Sequence, residues 1–104
     1  MSVGGGNVAF SLELPSPLGS EGWKAKIRDR ERLEPPHVTI FHKRQEWRLG
    51  LRDGIFVVPP GGSWSEIDER VREAIEANWQ LLCDEWDRVY PTNRVSGAEE
   101  DDDG

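Results

Sequence analysis

Residues 63–90 place Trp64, Ile67, Val71, Ala74, Ile75, Trp79, Leu82, Trp86 and Val89 three or four positions apart. That recurrence gathers side chains on one face of an α-helix. Glu66, Arg70, Glu73, Glu76, Ala77, Gln80, Asp84 and Asp87 fall on the other face, which suits water. Ser63 followed by Glu66 predicts a capping box at the helix start, and Pro91 predicts its end. A helix this one-sided needs a second apolar surface to cover it, so the preceding residues must supply one.

They read as a sheet. Residues 8–14 alternate Val8, Phe10, Leu12 and Leu14 with Ala9, Ser11 and Glu13, the period of a half-buried strand. Two prolines and two glycines in residues 15–22 mark a loop. Residues 23–30 set Trp23, Ala25 and Ile27 against Lys24, Lys26, Arg28 and Arg30, which predicts a second strand with a basic stripe; their helix propensity keeps a helix open here. Pro35-Pro36 forces an extended approach to a third strand over 37–43, rich in β-branched residues. A turn then leads to a fourth strand over 46–51, burying Trp47, Leu49 and Leu51. Arg52-Asp53-Gly54 predicts a tight hairpin, and residues 55–58 a short fifth strand stopped by Pro59-Pro60. The fold class is α+β: an antiparallel β-meander of four to five strands packed on one long C-terminal α-helix.

Composition sets the limits of that domain. Residues 1–6 are glycine-rich and 94–104 end in an acidic run, so both are expected to stay disordered around a single domain over 7–93. Cys83 is the lone cysteine, which rules out an internal disulfide and suits a reducing cytoplasm. No apolar run is long enough to span a bilayer and no secretory pattern opens the chain, so a membrane role is not expected.

The formal net charge of −7 is unevenly spread. Residues 22–52 hold nine Lys or Arg against four Asp or Glu, whereas 63–91 hold three against eight and 92–104 one against five. A local basic face can bind anions on a chain that is acidic overall.

The basic strand 23–30, the acidic Glu34 before Pro35-Pro36-His37, the strand and hairpin of 38–51 and the helix through Asn78, Trp79 and Trp86 occur in a familiar order. In that order they resemble a family of small bacterial proteins of unknown function. The resemblance covers roughly residues 23–90 and implies a toxin–antitoxin-like role, with a small protein partner and RNA in reach. Family members commonly carry a second histidine two residues after the first; this sequence has Thr39 there.

Chemistry-bearing motifs are scarce. His37 and His42 are five apart and point to opposite faces of a regular strand, so they cannot share a metal. No Cys-x-x-Cys or His-Glu-x-x-His spacing is present, and neither a cofactor nor a catalytic motif is expected. A ribonuclease site built in space from His, Arg and Lys leaves no motif and stays open.

Two binding surfaces follow. If Val38, Ile40 and Trp47 face the helix, the open face presents Lys24, Lys26, Arg28, Arg30, His37, Phe41, Lys43 and Arg48, with Thr39 among them. Cations interleaved with an aromatic form a platform for single-stranded RNA; the plain alternative is a strand kept soluble by Lys and Arg. Trp86 and Tyr90, near the helix end, are expected to extend beyond the sheet and anchor a protein partner or a second copy. That partnered regulatory role ranks first at this stage, and the acidic tail is expected to cover a basic surface of the partner or of the chain itself.

Overall fold

The computed structural model describes residues 8–28 and 34–96. Five strands form in the expected places: β1 (Val8–Leu12), β2 (Trp23–Arg28), β3 (His37–His42), β4 (Gln45–Gly50) and β5 (Phe56–Val58). They make one sheet in the order β1-β2-β3-β4-β5 with every neighbouring pair antiparallel. The chain is therefore α+β around an antiparallel meander.

The period of two sorts the side chains. Ala25 stands opposite Ile40, Ile40 opposite Trp47, and Val38 opposite Leu49, and all are buried on the inner face. Trp23 and Trp47 stack at 6.0 Å between ring centroids and close one end of this layer. The loop after β1 also reaches the core, since Leu18 is 1% exposed and its carbonyl accepts from the Trp23 amide at 3.1 Å. A polar, Pro/Gly-rich context had concealed that contribution. The β3–β4 turn closes through Lys43 and Arg44, with Lys43 at φ 58°. The Asp-Gly turn is wider than expected: Gly50 donates to the Ile55 carbonyl across four residues, and Gly54 alone takes the positive φ, 71°.

The single long helix is corrected. Ser63 Oγ accepts from the Ser65 amide at 3.3 Å and opens only a short 3-10 turn, Trp64–Glu66. Glu66 does not complete a capping box; its carboxylate faces Gln45 Nε2 at 3.5 Å. Ile67 is extended at φ −110°, and Asp68 caps the first true helix, α1 (Glu69–Ala77), by accepting from the Arg70 amide at 2.8 Å. α2 (Trp79–Val89) follows after Asn78, whose φ of −114° lies off the helix. Asn78 Nδ2 donates to the Ala74 carbonyl at 2.8 Å, so the side chain competes for an acceptor of the backbone ladder and the helix axis breaks there. The apolar face survives the break: Val71, Ile75, Leu82 and Trp86 are all fully buried against the sheet. No described helix is long and apolar enough to cross a membrane.

The folded body continues past residue 93. Arg52 donates to the carbonyls of Arg94 and Val95 at 2.8 and 2.9 Å, and the Val95 amide donates to Asp87 at 2.8 Å. Residues 94–96, expected in the tail, thus close over one end of the sheet. The remaining acidic tail and residues 1–6 lie outside the described residues.

Because Asp68, not Ser63, caps α1, Asp68→Ala should lower the urea unfolding midpoint, and Ser63→Ala should lower it clearly less. Arg70 hydrogen bonds hold the Asp68 carboxyl at about 2, below its ordinary 3.8. Folding therefore favours the ionised form; that contribution is complete above pH ~4 and lost as pH falls towards ~2. The variant's stability should accordingly decline less steeply with acid over that window.

Candidate nucleic-acid interface

The face of the sheet turned away from α1 and α2 carries the side chains that alternate with the buried inner set. Register places Lys24 beside Phe41 and Phe41 beside Glu46, and in the next row Ser11, Lys26, Thr39 and Arg48. Arg28 joins from the end of β2: its guanidinium lies over the Phe41 ring at 4.8 Å, with Lys26 Nζ at 5.6 Å from the same centroid. Five expected residues, Lys24, Lys26, Arg28, Phe41 and Arg48, are therefore brought together. Lys43 sits apart, exposed at the hairpin tip against Gly22. Arg30 lies outside the described residues.

His37 is a correction. It shares the parity of the outer face but is only 2% exposed. Its ring lies 5.4 Å from that of Trp86, and its Nδ1 donates to the Pro35 carbonyl at 2.9 Å. His42 lies on the inner side, stacked on Trp23 at 3.9 Å. Trp86 and Tyr90 are corrected as well: at 0% and 5% exposure they are core residues, not exposed anchors. Tyr90 is held by a hydrogen bond from its hydroxyl to the Arg28 carbonyl.

Two carboxylates missing from the expected set shape the electrostatics. Arg48 bonds Glu34 at 2.8 Å and Glu46 at 3.0 Å, and Glu46 also faces Arg28 at 3.7 Å. The alternation contained half of this signal, since Glu46 and Arg48 are two apart on one strand face. The other half, Glu34, comes from a loop brought close only by folding. Among the described residues Lys24 and Lys26 have no carboxylate partner. Burial pushes the Lys26 amine below the ordinary lysine value, and the charges of Lys24 and Arg28 add to that.

Thr39 lies between Lys26 and Arg48 in register and is completely buried, and its Oγ1 has no hydrogen-bond partner among the described residues. A buried hydroxyl without a partner is costly to the fold. The face thus offers charge and a planar stacking surface. It offers no metal set: among the described residues no three His, Cys, Asp or Glu are grouped to hold an ion. Cys83 is half-buried in α2, and burial with Asp87 and Asp84 nearby raises its thiol pKa, which makes it a poor nucleophile.

No family model, curated protein or solved structure matches the chain.

Two measurements check this geometry. Thr39→Val removes the unmatched hydroxyl at nearly constant volume and should raise unfolding free energy by about 1 kcal/mol. Lys24→Gln removes one of the charges that lower Lys26, so the Lys26 side-chain titration followed by NMR should move up. It should not regain the ordinary value, because burial remains the largest cause.

Proposed function

We propose that this chain is a binding module that holds single-stranded RNA or DNA against the outer face of its sheet. The observation that carries this is the juxtaposition of Lys26 and Arg28 with the half-buried Phe41 ring on a face no described helix covers. Phosphates meet Lys24 and Lys26, which have no carboxylate partner among the described residues, and a base stacks on the Arg28–Phe41 pair. Arg48, bracketed by Glu34 and Glu46, is a framing residue of the face more than a phosphate ligand. The reading is binding without histidine-based cleavage, since neither His37 nor His42 is displayed among these cations.

A protein-partnered regulatory role of the toxin–antitoxin kind is the second reading. Its expected anchors, Trp86 and Tyr90, lie in the core, but Ile55 and Val57 at the β5 edge are 63% and 42% exposed and favour a protein contact there.

Fluorescence anisotropy with a labelled single-stranded RNA and its duplex checks the first reading. The single strand should bind better, with a slope of log K against log salt of about −2 to −3.5 for three to five phosphate contacts. The double variant Lys24→Glu/Lys26→Glu should abolish binding, and Phe41→Ala should cost about 1–3 kcal/mol. Affinity that survives charge reversal, or is indifferent to salt, rules the reading out.

A further inference from the structure

We propose that the groove beside α1 docks a basic segment of a protein partner, one that presents an arginine or lysine next to aliphatic side chains. This deepens the partnered reading and uses a different face from the cationic one. Two hollows of about 450 and 270 Å³ share Trp64 and Glu76 and so form one groove. Trp79 lines its second half, while Glu69 and Glu73 line the first. Both indoles are only half-buried.

The groove already holds one example of the chemistry it accepts. The Arg72 guanidinium lies over the Trp64 ring at 5.2 Å and bonds Glu76 at 3.0 Å. A cation over an indole, fixed by a carboxylate, is a favourable arrangement wherever water is partly excluded. Besides Glu76, the first half carries Glu69 and Glu73, which have no cation partner among the described residues, and the second half carries the Trp79 indole. The groove therefore carries excess negative charge beside an open aromatic surface, and charge complementarity selects a basic occupant. The same carboxylates repel phosphate, which excludes nucleic acid from this face.

The apolar half of the ligand follows from the rim. Gly54 lines the groove, and Ile55, which follows it, is the most exposed large hydrophobic residue described. Phe56 of β5 packs edge-on against Trp64 at 5.1 Å and ties this strand to the groove wall. An aliphatic side chain flanking the cation would lie over Gly54 and cover the neighbouring Ile55.

The test uses two synthetic peptides, acetyl-Leu-Arg-Leu-Arg-Leu-amide and its Glu counterpart, titrated into the full chain and followed through the tryptophan indole N–H resonances by NMR. The Arg peptide should shift Trp64 and Trp79 saturably and leave the buried Trp23, Trp47 and Trp86 in place. Glu73→Lys, at an exposed position that does not endanger folding, should weaken binding about fivefold or more, as should Trp79→Ala. Lys24→Glu, on the other face, should bind the peptide normally, which separates this result from any failure of RNA binding. Absence of a saturable shift at Trp64 and Trp79, equal binding of the Glu peptide, or full affinity in Glu73→Lys overturns the proposal.

Discussion

Trp86 ties together parts of the chain that would otherwise have separate fates. It is fully buried on α2, with its ring 4.2 Å from that of Tyr90 and 5.4 Å from that of His37. Its indole Nε1 donates to the Asn93 carbonyl at 2.6 Å, and Asn93 Nδ2 in turn donates to the Glu34 carbonyl at 2.7 Å. One side chain thus links the second helix, the segment after it and the approach to β3. Truncating a buried tryptophan costs about 3–5 kcal/mol, against the ~5–15 kcal/mol that holds a domain together. The hydrogen bonds around it add direction, because they decide which end of the sheet the C-terminal segment closes.

The outer face inherits its arrangement from this packing. A strand whose inner residues are pinned cannot slip by one position without exchanging every side chain between faces. Once Ala25, Ile27, Val38 and Ile40 are committed to the core, Lys24, Lys26, Arg28 and Phe41 are committed to the opposite side. No attraction among the cations is required; burial first, and then the like charges of Lys24 and Arg28, lower the Lys26 value. The core holds them together against the mutual repulsion, and among the described residues Glu34 and Glu46 relieve it around Arg48 and Arg28. A cluster maintained this way keeps part of its field available to a ligand.

How much of this was legible in the amino acids depends on the range of the interaction. Strand positions and the split of β2 into apolar and basic sides were readable because alternation is local. The apolar helical face was readable too, but its break at Asn78 was not: the spacing of Ile75, Trp79 and Leu82 runs through the break unchanged, while the cause is one side-chain hydrogen bond to Ala74. Ser63 and Asp68 both suit an N-cap, and only the extended Ile67 between them shows which one starts the helix. His37, Trp86 and Tyr90 were misplaced for a common reason. Each depends on a tertiary contact, His37 with Trp86, Trp86 with the Asn93 carbonyl and Tyr90 with the Arg28 carbonyl, and nothing in the local pattern of a strand or a helix announces it. Thr39 could be assigned to a face by parity, but the missing partner of its hydroxyl is a property of the assembled row.

The two charged faces can act independently because of distance and screening. A helix layer with its side chains is ~10–12 Å thick, so the carboxylates on the solvent side of α1 lie beyond it from the outer sheet face. The Debye length is about 8 Å at physiological ionic strength. A phosphate at Lys24 and Lys26 therefore experiences those lysines far more than it experiences Glu69 or Glu73, and the net charge of −7 does not describe what it meets. The same separation gives the molecule an electrostatic polarity. On the proposed reading, a polyanion is repelled by the helix side and admitted at the sheet side, so its orientation is selected before contact. The basic segment proposed for the α1 groove is steered the opposite way, and the two proposed ligands would meet different surfaces.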